Sequence, residues 1–342
     1  MKVTRDEALA LSMGLLEGRD TPAKCALLQS DILVEAELRG HPSHGLQRLP
    51  RLLTRIERGL TDPRTEGMAS WRSDAALEVD GMNGLGPVIA FAALRHLETR
   101  VATSGVALAA IRNSNHLGML ACYVEQIASW GCIGIAMSSS EALVHPHGGT
   151  RAMLGTNPIA IAVPTAERPM VLDLATSTVS MGKIHHYAAN GMPLPSGWAR
   201  DAAGRPTSSA AAAKQGSIAP FGGAKGYGLG LAVELVVAAL AGSELAPNVR
   251  GTLDAEFVCN KGDVLIAIHL GHAPDLAAKL SAYLELIRRS PPADPEQPVS
   301  IPGDGAALRR AIALEQGFEI EPQLWRDLHA LSRTSVFEGH SA

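Results

Sequence analysis

A short run near the N-terminus combines three residue types that support acid/base and anion-binding chemistry. The run His41-Pro42-Ser43-His44-Gly45-Leu46-Gln47-Arg48 places an imidazole, a hydroxyl and a guanidinium close together. Histidine titrates near neutral pH, and a guanidinium holds a carboxylate through two parallel hydrogen bonds. If a helix begins at Ser43, His44 and Arg48 lie one turn apart on the same face. The run therefore predicts that Arg48 holds a substrate carboxylate while His44 transfers a proton to the oxygen on the neighbouring carbon.

A purely structural interpretation of these residues is also open. Ser43 could serve only as a helix N-cap, with Arg48 a solvated charge, and Pro50 would disturb a helix that begins at Ser43. A second histidine, His116 in Asn113-Ser114-Asn115-His116, follows a predicted strand. Strand ends are where α/β proteins place functional polar groups, but a hydrogen-bonded turn histidine fits equally well.

The usual nucleotide-binding motifs are absent from the chain. Neither G-x-G-x-x-G after a strand nor G-x-x-x-x-G-K-[ST] occurs. The cluster Gly222-Gly223-Ala224-Lys225-Gly226 opens a predicted helix, where free amide groups and Lys225 would suit a diphosphate. Close helix packing is the alternative use of these glycines. An ordinary Rossmann domain is therefore disfavoured.

The histidines and cysteines do not predict a metal site. Four histidine pairs are close in sequence, none in an H-E-x-x-H arrangement, and the four cysteines form no C-x-x-C pair. The pairs are His41/His44, His145/His147, His185/His186 and His269/His272. We expect free thiols in a reducing compartment, without disulfides or zinc.

Composition narrows the class of protein. The 342 residues are 46% apolar, and 30 Lys and Arg against 34 Asp and Glu give a net charge of −4. This composition is typical of a globular protein, and there is no basic surplus for nucleic acid or an anionic membrane. The charged start lacks a signal-peptide core, and the apolar stretch 229–241 is too short to span a bilayer. We expect a soluble, cytoplasmic protein.

The elements that must position the candidate residues alternate in the middle of the chain. The first 60 residues predict helices, with Thr4 and Glu7 as a capping box. Strands are predicted at 76–80, 106–112, 133–138, 158–163, 170–174 and 264–270, and helices at 87–103, 119–130, 226–241 and 274–289. The segment 191–223 predicts one long loop or lid. This order indicates an α/β fold with a helical domain of both termini, 1–75 and 291–342, around a domain at 76–290.

The motifs together resemble the malate/L-lactate dehydrogenase family of the non-Rossmann type. That family also includes ureidoglycolate dehydrogenase, sulfolactate dehydrogenase, diketogulonate reductase and Δ1-piperideine-2-carboxylate reductase. The matching segments occur in the family's order: Ser43-His44-Gly45 with Arg48, Asn113-Ser114-Asn115-His116, Leu154-Gly155-Thr156-Asn157-Pro158, the stretch 171–177, Gly197-Trp198-Ala199, Gly204-Arg205-Pro206-Thr207, the cluster 222–228 and Pro302-Gly303-Asp304.

The resemblance implies an NAD(P)-dependent oxidoreductase with a mixed sheet and helices, usually a homodimer, in which 76–290 binds the cofactor. It makes His44 the proton donor, Ser43 its partner and Arg48 the anchor of the substrate carboxylate. His116 and Thr156 would line the substrate and nicotinamide site, and Lys183 is a further catalytic candidate. The residues implied to hold the dinucleotide are His116, Asp173, Leu174, Ala175, Lys225, Gly226, Gly303 and Asp304. Whether the cofactor is NAD or NADP stays open.

Two features bear on the substrate. Glu141, His145 and His147 stand where family members more often carry apolar or small residues, and if they line the pocket the substrate carries an extra polar or cationic group. The sequence around Lys183 resembles members that act on hydroxy acids more than the imine reductase. We therefore expect hydride transfer between the nicotinamide and C2 of a small 2-oxo/2-hydroxy carboxylic acid. Reduction of Δ1-pyrroline- or Δ1-piperideine-2-carboxylate is the alternative.

Overall fold

A seven-stranded mixed sheet forms the centre of the computed structural model, which describes residues 1–271 and 275–338. Its strand order is β2-β3-β4-β11-β5-β6-β7, and only β3 and β4 pair in parallel. The strands of this sheet are β2 (Met68–Trp71), β3 (Ala76–Asp80), β4 (Val106–Arg112), β5 (Cys132–Ser138), β6 (Ile159–Val163), β7 (Met170–Leu174) and β11 (Gly262–His269). The expected α/β class with a mixed sheet is confirmed.

Helices cover both faces of the sheet. On β5, alternate side chains point to opposite faces: Ala136 joins a core with α4 (Gly86–Ser104) and α5 (Ala121–Ser129), whereas Met137 packs against α8 (Ala224–Ala241). Burial on both sides explains why the central strands are nearly continuous apolar runs. The sheet is therefore the rigid layer from which the loops at its edge project.

The helices of the two termini share a second core. They are α1 (Arg5–Glu17), α2 (Ala23–Leu38), α3 (Leu49–Glu57), α10 (Asp304–Gln316) and α11 (Pro322–Glu338). Leu15 and Leu33 cluster with Phe318 and Leu328, and β1 (Lys2–Val3) pairs with β12 (Phe318–Glu319). The predicted capping box at Thr4 is present. The helical domain of both termini stays a proposal, and β2, inside its predicted 1–75 bound, belongs to the central sheet.

The segment predicted as a long loop or lid contains regular structure, so that prediction is wrong. It holds β8 (Ala199–Arg200), β9 (Pro206–Thr207) and β10 (Ser217–Ile218), which form a small sheet, and the single turn α7 (Ala210–Ala213). Together with α6 (Met181–Ala189) they surround a separate apolar cluster. Strands of two residues are too short to produce a periodic sequence pattern.

The remaining helix is α9 (Leu276–Arg288), which begins inside the predicted range 274–289. Residue 274, the first of that range, and His272 lie outside the residues that the structure describes. Among the described residues, α8 is the one helix long and apolar enough to cross a membrane by length and composition. Core helices of soluble proteins meet the same criterion, and α8 packs on the sheet through Val233 and Val237. Its outward side chains include Leu229, Leu235 and Val236.

Candidate active site

The turn between α2 and α3 carries Ser43, His44 and Arg48. The expected helix from Ser43 does not form: the chain makes two short 3₁₀ turns, Pro42–His44 and Leu46–Arg48, before α3 begins. Pro50 explains the difference, because proline is tolerated in the first turn of a helix but not further in. The Nε of Arg48 nevertheless donates to the Ser43 carbonyl at 2.9 Å. The turn therefore folds the guanidinium back towards His44.

Two histidines lie side by side in this site. The rings of His44 and His116 have centroids 5.5 Å apart, and Ser43 Oγ lies 3.0 Å from His44 Nδ1. The Gly118 amide donates to His116 Nδ1 at 3.0 Å. Because that nitrogen accepts a hydrogen bond, the neutral ring carries its proton on Nε2. The structure thus brings the two predicted histidines together and leaves a donor on His116.

Both histidines are neutral in the free protein. Burial, followed by the charges of Arg48 and His41, lowers the pKa of His44 to about 3. Burial and the charge of Arg48 also lower the pKa of His116 well below its ordinary value. A neutral imidazole can donate a hydrogen bond but holds no extra proton. An anion placed against Arg48 would weaken its field and raise both pKa values.

Arg48 is a recessed cation that makes no ion pair within the described residues. Its guanidinium donates to two main-chain carbonyls, Ser43 at 2.9 Å and Thr252 at 3.4 Å. Burial and the nearby Arg51 lower the pKa of Arg48 to about 10, and the attraction of the Glu141 carboxylate offsets only part of that effect. A desolvated charge without a counter-ion is costly, and an incoming anion would remove that cost. The arrangement is that of an anion-binding site.

Lys183 and Thr156 are the two remaining residues predicted for catalysis and substrate binding. A Cβ on Gly182 would sit 2.8 Å from the Ser43 Cβ, so the first turn of α6 lies against the site. Lys183, the next residue, is exposed and its Nζ lies 5.3 Å from the centre of the Trp198 ring. The Thr156 amide donates to Ser140 Oγ at 3.1 Å. The contacts of Lys183 and Thr156 are thus with neighbouring loops, and their functional roles stay predictions.

A cavity of about 1370 Å³ opens between the edge of the sheet and α10. Its lining includes Asp173 and Gly303, both expected to hold the cofactor. It also includes His41 and Met119, which are three residues from His44 and from His116 in sequence. The volume exceeds the roughly 300–1,000 Å³ typical of small-molecule sites. The cavity therefore has room for a ligand the size of a dinucleotide, but His44, Arg48 and His116 are not among its lining residues.

The carboxylate of Asp173 stands at the N-terminus of α5. It accepts the Ala121 amide at 2.7 Å. Asp173 is partly accessible to solvent, but the surrounding protein desolvates its carboxylate, which raises the pKa of Asp173 to about 6. Leu174 and Ala175 continue the chain from there, half-buried, to Thr176, whose amide donates to the Thr156 carbonyl at 2.8 Å. The end of β7 thus runs from the cavity to the Thr156 loop.

Gly303 allows the chain to approach β7 closely. Its φ is +94°, and a Cβ there would lie 2.9 Å from the Val171 carbonyl oxygen. Asp304 has its carboxylate engaged by Arg288 at 2.8 and 2.9 Å and by Arg168 at 2.5 Å. These contacts with Arg288 and Arg168 hold the turn at the start of α10 in place. Gly303 forms the wall of the cavity, and Asp304 supports it.

Lys225 and Gly226 lie at the start of α8 and are not among the residues that line the cavity. A Cβ on Gly226 would sit 2.8 Å from the Phe221 nitrogen and closer still to its carbonyl oxygen. The structural use of this glycine is therefore present, while cofactor binding by Lys225 and Gly226 stays a prediction.

Glu141 does not offer a free carboxylate to a substrate. It accepts the amides of Thr252 at 2.7 Å and Leu253 at 2.9 Å, and the Thr252 hydroxyl as well. The carboxylate thereby holds the segment whose carbonyl contacts Arg48. His145 is buried with Nδ1 3.0 Å from the Pro146 carbonyl. These contacts give no support to an extra polar or cationic group on the substrate.

Sequence patterns missed two buried charged residues that support the site. Arg55, on α3, donates to Asn115 Oδ1 at 3.1 Å and to the Asp254 and Phe257 carbonyls at 3.0 Å. Glu37, on α2, accepts the Leu46 amide at 2.7 Å. Both stand at positions where the helix pattern favours burial, and a charge at such a position is the signal that could have found them. Across 1–271 and 275–338 no cluster of His, Cys, Asp and Glu could hold a metal ion.

Several known proteins are similar to this chain over two thirds or more of its length. The L-sulfolactate dehydrogenase of Methanocaldococcus jannaschii is 35% identical over 93% of this chain and 92% of its own length. A Δ1-pyrroline-2-carboxylate reductase of Pseudomonas fluorescens is 36% identical over 69% of this chain and 71% of its own. The solved structure of a dehydrogenase from Sinorhizobium meliloti is 55% identical, with a TM-score of 0.94 over 97% of this chain and 98% of that one.

The sequence profile of malate/L-lactate dehydrogenase matches residues 3–329. The resemblance expected from the motifs is thus confirmed over nearly the whole length. The chain belongs to the malate/L-lactate dehydrogenase family.

Proposed function

We propose that the protein is an NAD(P)H-dependent oxidoreductase that interconverts a small 2-oxo acid and the corresponding 2-hydroxy acid. The observation that carries this proposal is Arg48, a recessed cation that forms no ion pair within the described residues and donates only to two main-chain carbonyls, beside two neutral histidines. This combination suits a substrate with a carboxylate next to a carbonyl group, since one group is bound and the other is protonated.

The cavity supports a dinucleotide as the cofactor. Its volume of about 1370 Å³ suits a ligand of that size, and Gly303 shapes its wall by a close approach that a side chain would block. We propose that Asp173 and the turn at Gly303 hold the part of the dinucleotide remote from the reaction. When bound, the reduced nicotinamide supplies a hydride to C2 of the substrate.

The protein's own residues then bind, orient and protonate. Arg48 holds the carboxylate through its guanidinium, which fixes the carbonyl carbon beside His44 and His116. The bound carboxylate offsets the charge that lowers the histidine pKa values, so that an imidazole can carry the proton it must give. We assign His44 as the donor to the oxygen on C2, with Ser43 orienting its ring through Nδ1. Positioned proton transfer of this kind contributes roughly 10²- to 10⁴-fold.

A cyclic imine acid is the second candidate substrate. It is favoured by the similarity to the Pseudomonas reductase, and it would use the same anchor at Arg48 with a ring nitrogen in place of the carbonyl oxygen. The experiment that decides is NADH and NADPH oxidation with a panel of 2-oxo acids and Δ1-pyrroline- and Δ1-piperideine-2-carboxylate. No turnover with any member would contradict the proposal. The same assay decides which cofactor is used.

We also propose a homodimer in the cytoplasm. The outer face of α8 exposes Leu229, Leu235 and Val236, with 37%, 52% and 41% of their surface accessible. An apolar face of this kind on a helix marks an interaction surface, and a second copy is the partner that the family resemblance implies. The four cysteines are all free thiols, as is typical of a reducing compartment. Sedimentation measures the molecular mass of the wild type and of Leu235→Glu in solution. A monomeric wild type would contradict the proposed dimer.

A further inference from the structure

The turn that carries His44 and Arg48 is hydrogen-bonded to a buried carboxyl group that has no part in the proposed reaction. Glu37 lies in the last turn of α2, only 6% exposed. Its Oε1 accepts the Leu46 amide at 2.7 Å. That amide is at the start of the second 3₁₀ turn, where helical N–H groups lack a partner within the helix. The carboxyl group therefore satisfies a donor that the turn cannot satisfy itself.

Gly45 lets the backbone come this close. A Cβ at Gly45 would lie 2.5 Å from the Glu37 Cδ and closer still to Oε1, distances that no side chain tolerates. The turn's other main-chain bonds are local: His44 N donates to His41 O at 2.9 Å and Arg48 N donates to Gly45 O at 3.0 Å. Those bonds shape the turn but do not attach it to the rest of the protein.

The attachment falls midway between the two functional side chains. Leu46 stands two residues after His44 and two before Arg48, and its own side chain is buried among the terminal helices. The hydrogen bond that its N–H donates to Glu37 Oε1 fixes the rotation of the turn about that buried side chain. A shift of about an ångström in a catalytic group costs an enzyme substantial activity.

We propose that Glu37 is a positioning residue: its carboxyl group, which the turn reaches because residue 45 is glycine, holds His44 and Arg48 in register with each other and with His116. The catalytic consequence rests on the proposed function. The anchoring of the turn does not, and it is measured separately below.

The first experiment is kinetic and uses Glu37→Ala, Glu37→Gln and Val34→Ala. Glutamine keeps an oxygen that can accept the Leu46 amide, and Val34→Ala is the matched control because it also removes buried atoms from α2. Glu37→Ala should lower kcat/KM for the 2-oxo acid roughly 10- to 100-fold, the range expected when a buried N–H donor loses its hydrogen-bond partner. Its KM should rise, because Arg48 is displaced, whereas loss of folded enzyme alone would leave KM unchanged. Glu37→Gln should stay within about threefold of the wild type.

A second pair of variants tests the contact itself. Gly45→Ala should be impaired, and Glu37→Asp/Gly45→Ala should recover part of that loss because the shorter side chain withdraws from the new methyl group. This pair keeps the proposal testable if Glu37→Ala fails to fold. Wild-type activity of Gly45→Ala, or of folded Glu37→Ala, would overturn the proposal.

Hydrogen exchange separates this proposal from the proposed function. In Glu37→Ala the amides of residues 43–49 should exchange faster than in the wild type and Val34→Ala, whatever substrate the enzyme takes. Unchanged exchange in that segment would refute the anchor. Faster exchange in a protein that oxidises neither NADH nor NADPH would refute the proposed function and leave the anchor standing.

Discussion

Replacing Arg48 with methionine separates the function of this residue from its contribution to stability. Methionine keeps an unbranched side chain of similar length and removes the charge. Burial lowers the pKa of Arg48 from 12.5 to about 10, which corresponds to a cost of about 3 kcal/mol for holding the charge at neutral pH. The variant loses a charged hydrogen bond to the Ser43 carbonyl at 2.9 Å, worth about 1.5–3 kcal/mol, and a long, weak one to the Thr252 carbonyl at 3.4 Å. We therefore expect Arg48→Met to be as stable as the wild type or up to about 2 kcal/mol more stable.

Activity should move the other way. Truncating one partner of a buried, hydrogen-bonded charge pair costs about 2–5 kcal/mol, so kcat/KM for a 2-oxo acid should fall roughly 10²- to 10³-fold, mainly through KM. Steady-state oxidation of NAD(P)H measures activity, and urea unfolding measures stability. Arg58→Met is the matched control. Arg58, which directly follows α3, also donates to a main-chain carbonyl of the 252–257 segment, that of Ala255, but it is exposed. The reasoning is refuted if Arg48→Met keeps its kcat/KM within about threefold, or unfolds about 2 kcal/mol more easily.

Three further substitutions test other parts of the site. His44→Ala should lower kcat roughly 10²- to 10⁴-fold while nicotinamide fluorescence shows unchanged NAD(P)H affinity; a full turnover rate would remove His44 from its assigned role. Gly303→Ala should weaken cofactor binding about tenfold, because its φ of +94° and the Val171 carbonyl 2.9 Å away leave no room for a methyl group, and titration with NADH and NADPH would detect equal affinity if that is wrong. Burial raises the pKa of Glu37 from 4.5 to about 7, so its ionisation lowers stability as pH rises from about 4.5 through 7. Between pH 4 and pH 8, the free energy of unfolding of Glu37→Gln, measured in urea, should therefore rise by about 3 kcal/mol relative to that of the wild type. Parallel pH profiles of the two proteins would contradict the raised pKa of the Glu37 carboxyl group.

Local patterns predicted the centre of the fold well. Strands β3, β4 and β7 form at the predicted residues. Strand β4 is a nearly continuous apolar run, and in β3 the apolar Leu77 and Val79 alternate with other residues, as in a strand buried on one face. Strand β2 was missed since it is a short, largely exposed edge strand, and β8 to β10 have two residues each. Strands of two to four residues hold too few side chains to produce a periodic pattern, even though β2, β8 and β9 pair with strands close in sequence.

The site was predictable where its residues are close in sequence. Ser43, His44 and Arg48 belong to one turn, so their spacing predicted that they lie together, although the turn is 3₁₀ rather than α-helical; their chemical roles stay predictions. The contact of Glu37 with Leu46 was not predictable, because it depends on how α2 packs under the turn. The same holds for the cavity, whose walls come from β7 and α10 at distant positions in the chain.

The central claim is that a hydride passes from the nicotinamide to C2 of a small acid held at Arg48. The most direct measurement is mass spectrometry of the product formed from NADH or NADPH deuterated at C4 of the nicotinamide, with the substrate that the panel identifies. We predict one deuterium on C2 of the product, formed by the wild type and lost in proportion to turnover in Arg48→Met. A product without deuterium on C2, or equal labelling by Arg48→Met at the wild-type rate, would contradict the claim.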